Sequence, residues 1–135
     1  MVSFDMKTIG FINIFENLTH AGVKDCFAEG DSLVFIIDQG QMGLAIGKGG
    51  VNIKNACSVF KKDIKAYEFN PEPVEFVKNL LYPIKPKAVE RKDNLVVIKT
   101  ADSVEKGKVF GREKTNLKRI QEIVSKYFEV EIKVE

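Results

Sequence analysis

The sequence predicts an α+β fold, an α/β sandwich of two tandem units. Each unit runs α-β-β-α-α-β, with a three-stranded sheet covered by helices. Three observations carry this expectation. First, Asp38, Gly43, Gly47, Asn52, Lys54 and Lys62 recur without a gap as Asp102, Gly107, Gly111, Asn116, Lys118 and Lys126, the mark of an internal duplication. Second, stretches with apolar residues three and four apart alternate with short runs of branched residues, the periods of helices and of buried strands. Third, each half carries a glycine-bearing loop between two helix-patterned stretches, A-I-G-K-G-G-V-N-I-K at 45–54 and V-F-G-R-E-K-T-N-L-K at 109–118.

In the first half, Asp5 suits an N-cap. Ile9, Ile12, Phe15 and Leu18, widened by Phe11 and Ile14, predict a helix over 6–19, with Gly22 as its stop. Residues 23–28 and 33–38 read as strands joined by the turn residues Glu29, Gly30, Asp31 and Ser32. The glycine loop and its two helices follow, then a strand over 63–69. Asn70, Pro71, Glu72 and Pro73 form a stiff connector, because proline ends strand pairing and suits a first helical turn. The second half predicts a helix over 74–82 with Val74, Val77, Leu80 and Leu81 inward, and strands over 87–91 and 95–100. Helices over 103–110 and 115–127 follow, the latter with Leu117, Ile120, Val124 and Phe128 on one face. A strand over 129–134 closes the unit. The expected domains are 1–69 and 70–135.

The chain has 135 residues, 44% hydrophobic and 30% charged, as in a soluble globular protein. No apolar run could cross a membrane, and M-V-S-F-D-M-K is not a secretory start, so a cytoplasmic protein is expected. Cys26 and Cys57 form no C-x-x-C pair and His20 is the one histidine, which argues against a zinc site. Both cysteines are expected as small, buried, reduced hydrophobes. Net charge is +2 and uneven: residues 1–69 hold 7 Lys against 8 acids, residues 70–135 hold 14 Lys or Arg against 11. So mild a charge does not by itself announce a nucleic-acid binder. No nucleophile–histidine pair, paired carboxylates or ligand cluster is legible, so neither catalysis, a cofactor nor a small-molecule substrate is expected.

The loop at 45–54 joins glycine freedom to a helix start. Glycine lets another backbone approach, and the free amides and positive dipole end of the next helix favour anions. A P-loop reading fails because only three residues separate Gly43 from Gly47 and Gly49 stands where a hydroxyl is needed. A dinucleotide reading fails because Asn52 takes the third glycine position and a helix precedes the loop. A plain helix–helix turn would also hold two glycines. Lys54, Lys61 and Lys62 could be a solvated helix face, and Ile53 core. The basic set Lys106, Lys108, Arg112, Lys114, Lys118 and Arg119 is denser.

Helix–G-x-x-G–helix set between strands resembles the KH domain, a module for single-stranded RNA and DNA. The element order is similar to its type II form. Two such units in tandem resemble the archaeal NusA-like transcription termination and antitermination proteins, most specifically through M-G-L-A-I-G-K-G-G-V-N-I-K at 42–54. The resemblance covers essentially the whole chain. It implies two tandem type II KH domains that clamp nascent single-stranded RNA, with RNA polymerase as a partner. Gly47, Lys48, Gly49 and Gly50 would be the first clamp, Ile46 and Ile53 apolar walls for bases, and Asn52 and Lys54 contacts to phosphate or sugar. In the second unit Gly111, Arg112 and Lys114 take the clamp positions, with Asn116 and Lys118 behind them. Glu113 and Lys114 depart from the family pattern. The alternatives are a KH-fold protein-interaction module and an RNA-binding factor of ribosome assembly.

Overall fold

The computed structural model describes residues 6–135. The Asp5 cap lies outside them. Helix α1 (Met6–Thr19) buries Phe15 and Thr19, while Phe11, Ile12 and Leu18 pack at the core's edge. The apolar stripe is narrower than expected, since Ile9 and Ile14 stay exposed at 46% and 42%. Phe15 anchors the helix by stacking on Phe35, ring centroids 4.2 Å apart. The helix stop is His20 rather than Gly22. His20 takes the left-handed turn (φ 63), and its N–H donates to the Glu16 carbonyl at 2.7 Å. Gly22 lies instead against the Asp38 carboxylate, where a side chain would collide.

Strands β1 (Val23–Glu29) and β2 (Ser32–Ile37) form an antiparallel hairpin, with a register shift between Val23 and Asp25. Strand β3 (Asp63–Glu68) pairs parallel to β2, so β2 is central. That position explains its unbroken apolar run: Leu33, Val34, Phe35, Ile36 and Ile37 are all buried. One face of the sheet packs under α1, α2 (Met42–Ile46) and α3 (Val51–Phe60) through Leu33, Phe35, Ile37, Ala45 and Ala56. Val51 and Val59, apolar in sequence, are exposed. Cys26 is buried as expected, whereas Cys57 is only half-buried.

The second unit repeats this plan. Asn70 accepts the Glu72 N–H at 2.8 Å, and Pro73 opens α4 (Pro73–Leu81) at its first turn. Starting there, the buried face is Pro73, Phe76, Val77, Leu80 and Leu81. Phe76 takes the inward place expected for Val74, which is half-buried. Strands β4 (Ala88–Lys92) and β5 (Leu95–Lys99) pair antiparallel, and β6 (Glu131–Val134) pairs parallel to β5. Each unit therefore has the same mixed three-stranded sheet with its middle strand most buried. Helix α5 (Ser103–Phe110) is capped by Asp102, whose carboxylate accepts the Glu105 N–H at 2.8 Å.

Helix α6 (Thr115–Ser125) buries Ile120, Ile123 and Val124. It ends short of residue 127 because the N–H groups of Lys126 and Tyr127 turn to the carbonyls of Ile123 and Val124 in a tightened last turn. Phe128 is thus beyond the helix, and β6 begins later than expected. The repeat register also slips outside the loops. Lys99, Thr100 and Ala101 intervene between Ile98 and Asp102, where Asp38 directly follows Ile37. Along the chain, the boundary between the two compact units falls between Phe69 and Asn70.

Candidate nucleic-acid interface

Helix α2 is short and α3 begins one turn later, so the chain between them is held by few bonds. Gly47 (φ 77, ψ 170) breaks α2, and its N–H donates to the Gly43 carbonyl at 2.9 Å. Lys48, Gly49 and Gly50 form a single 3-10 turn closed by the Gly50 N–H on the Gly47 carbonyl at 3.0 Å. Gly49 (φ 65) and Gly50 (φ 78) are both left-handed, a backbone region that residues with a Cβ resist. The loop also requires Gly47 on spatial grounds, since a Cβ there would lie 2.7 Å from Asn52 Cγ.

Asn52 is the brace of this loop. Its Nδ2 donates to the Leu44 carbonyl at 2.7 Å, tying α3 back to the end of α2. Gly47 N–H and Asn52 together satisfy two carbonyls near the C-terminal end of α2. The positive N-terminal end of α3 also opens onto the loop. Lys48 extends into solvent, and no acid stands in the loop. Ile46 is 38% exposed beside Gly47, and Ile53 and Lys54 approach Gly50. Leu44 and Val51 are exposed at 48% and 49%, so aliphatic surface flanks the loop on both helices. These two residues were not singled out from sequence. Their positions next to the glycines were the available signal.

The second loop has lost two of the glycines but keeps the path. Gly111 sits at φ 70, ψ 178, Glu113 at φ 55 and Lys114 at φ 61, close to the values at Gly47, Gly49 and Gly50. The Gly111 N–H donates to the Gly107 carbonyl at 2.9 Å, and Asn116 Nδ2 donates to the Val109 carbonyl at 3.0 Å. Thr115 adds a bond from Oγ1 to the Arg112 carbonyl at 2.6 Å, and Arg119 Nη2 donates to Asn116 Oδ1 at 2.9 Å. Two adjacent side-chain-bearing residues are thus held left-handed, a strain of order 1–2 kcal/mol each. Arg112, Lys114 and Lys118 are exposed around the turn, with Glu113 among them. Asn52, expected to meet phosphate or sugar, and Asn116, expected behind the second clamp, have their amide Nδ2 engaged within the loops.

Away from the loops, burial and the negative charge of Asp25 push the Cys26 thiol up to about 12 from its ordinary 9.0. Among the described residues, no group of His, Cys, Asp and Glu could hold a metal ion, and no helix is long and apolar enough to cross a membrane.

Two α-β-β-α-α-β units, each with a helix–G-x-x-G-type loop–helix beside a mixed three-stranded sheet, define a tandem pair of KH domains. The KH domain family model matches residues 12–79. The probable transcription termination protein NusA of Methanocaldococcus jannaschii is 32% identical over 130 residues, 93% of this chain and 69% of that protein. The protein of the same name from Methanococcus vannielii is 37% identical over 83 residues. That match takes in 62% of this chain and spans about half, 48%, of the relative. The crystal structure of APE1850 superposes with a TM-score of 0.79 at 27% identity, over 98% of this chain and 100% of that one. The chain belongs to the KH-domain family, among the archaeal NusA-like proteins.

Proposed function

We propose that the chain binds single-stranded RNA and acts in transcription, with the helix–loop–helix at Gly47–Gly50 as its main clamp. The observation that carries this reading is the bare loop itself. Three left-handed glycines clear the side chains from a helix N-terminus, and Lys48 and flanking aliphatic residues complete a surface for phosphate and base. Ile46 and Ile53 offer apolar contact to bases, and Lys54 reaches the same rim. Asn52 acts by holding the loop. The second loop, with Gly111, Arg112, Lys114 and Lys118 and its brace Asn116, adds a weaker grip, since Glu113 opposes phosphate.

The names of the relatives support a place in transcription termination; action during elongation on nascent RNA, with RNA polymerase as partner, belongs to the same proposal. In this reading the protein works in the cytoplasm as a binding module rather than an enzyme. Titration of the full chain with short single-stranded RNA and with a duplex of the same sequence tests the reading. A groove for unstacked bases favours the single strand. Equal or tighter binding to the duplex overturns it.

A further inference from the structure

We propose that Phe110 is a base-stacking platform in the second unit, with Lys106 and Lys114 holding the phosphates on either side of the stacked base. This rests on the RNA-binding reading and gives the second loop a distinct part in it. Phe110 ends α5 immediately before Gly111, as Ile46 ends α2 immediately before Gly47. Ile46 is open to solvent beside its loop, and Phe110 is partly so. The duplication thus places an aromatic ring where the first unit has an aliphatic wall.

Two ammonium groups lie over the ring, so a base that stacks there takes the place of one of them and leaves that cation to a neighbouring phosphate. Lys106 Nζ lies 5.9 Å and Lys114 Nζ 5.6 Å from its centroid, within cation–π range. Lys106 stands one helical turn earlier on α5, while Lys114 comes from the loop, at a position where its backbone is left-handed. Glycine at residue 114 would relieve that strain and remove the cation. Strain retained at a loop of this kind points to a use for the side chain.

The surrounding positions change in the same sense. Leu44 is replaced by Lys108 and Val51 by Thr115, so the second loop loses aliphatic rim and gains charge and a hydroxyl. The Phe110 ring is left as the flat apolar surface, set among cations, with half-buried Leu117 at the position of Ile53. Aromatic faces bordered by cations serve unpaired nucleotides, because every base has a face to stack and phosphates follow on both sides. Ile46 and its neighbours instead offer dispersive contact without a stacking plane. The two units therefore divide the work. The first contributes close backbone approach and aliphatic contact, the second stacking and charge.

The test uses the full chain and two short single-stranded RNAs, oligouridine and oligoadenosine carrying one 2-aminopurine, whose fluorescence falls on stacking. The parent should quench the probe and prefer oligoadenosine, the better stacker. Phe110→Ile, which installs the first unit's residue, should lose the quenching and about tenfold in affinity for oligoadenosine, within the range of one base–aromatic stack. Phe110→Tyr should retain both. Phe110→Leu serves as a second removal if circular dichroism shows the isoleucine variant unfolded. Lys106→Gln should lower the salt dependence of binding by about 0.7, one phosphate contact on a single strand. Quenching and affinity unchanged in folded Phe110→Ile or Phe110→Leu overturn the proposal. If those variants bind like the parent while Lys48→Asp with Gly49→Asp abolishes binding, stacking is refuted and the RNA reading stands. If the parent binds neither RNA, both fall.

Discussion

Alanine substitutions through the two loops should differ in cost in an order fixed by what each new methyl group meets. Gly49 has nothing within 4 Å of an added Cβ, and at Gly50 the nearest atoms, Lys54 Cε at 3.9 Å and Ile53 Cγ2 at 4.0 Å, are ordinary contacts. Their cost is the left-handed backbone alone, about 1–2 kcal/mol, reduced by about 0.4–1 kcal/mol because alanine restricts the unfolded chain. A net loss of about 1 kcal/mol is expected at each. Gly47→Ala brings its Cβ to 2.7 Å from Asn52 Cγ and 2.8 Å from Nδ2. Asn52 must swing away and release Leu44, adding about 1 kcal/mol for the lost hydrogen bond. Gly111→Ala should be worst, since its Cβ would meet Asn116 Cβ at 2.7 Å and the Asn116 backbone nitrogen at 3.0 Å, which cannot swing aside. Lys114→Gly should do the reverse and stabilise by about 0.5 kcal/mol, the relieved strain exceeding the added chain entropy. Urea unfolding followed by circular dichroism reads these as midpoint shifts at constant slope. Gly49→Ala as costly as Gly111→Ala, or a destabilising Lys114→Gly, would refute the loop geometry as the cause.

Other outcomes follow from single features. At neutral pH Cys57 should react with a thiol reagent well before Cys26, which is buried and whose thiol is pushed up to about 12; peptide mapping after brief alkylation decides it. Because Cys26 holds its proton more tightly when folded, the stability it contributes is complete below pH 9.0 and declines as pH rises toward 12. Cys26→Ser should flatten that part of the pH–stability curve. Asp102→Ala removes the α5 cap and should cost about 1 kcal/mol, whereas α2, with no side-chain cap at Gln41, offers no equivalent loss. The logarithm of RNA affinity should fall only modestly with the logarithm of salt, as few phosphates are neutralised; a slope steeper than about −5 would imply a far larger charged footprint than the two loops provide.

Much of the fold could be read from residue order because local and global signals agree. The span 6–19 matches α1, and 103–110 matches α5, where Asp102 supplies a cap and Gly111 a stop. The apolar run at 33–38 read as a strand, and β2 (Ser32–Ile37) takes that place, its central position coming from the parallel pairing with β3. What escaped were matters of neighbours rather than of period. His20 ends α1 although Gly22 is the better left-handed residue, because Gly22 is needed where Asp38 comes close. Phe76 displaces Val74 because Pro73 starts the helix one residue earlier and rotates the inward face. At the loops the glycines and cations stood out in sequence, while the bracing role of Asn52 and Asn116 did not, since it depends on carbonyls one helix away. The second loop reads as degenerate by its letters, yet Glu113 and Lys114 take the same left-handed path as the glycines they replace. Composition cannot reveal strain that the surrounding bonds enforce.

The central claim, that the Gly47–Gly50 loop is the main RNA clamp, is tested most directly by Lys48→Asp combined with Gly49→Asp. The fold should survive, because both Gly47 and Gly50 remain and Glu113 shows an acidic side chain accepted at the position matching Gly49. The change removes one positive and adds two negative charges where phosphate should pass, and circular dichroism confirms folding. Affinity for short single-stranded RNA should fall about tenfold or more, the scale of a lost charge-assisted contact, while Arg112→Asp in the second loop costs less. A folded double variant that binds as tightly as the parent, or an Arg112→Asp variant that loses more, would contradict the account.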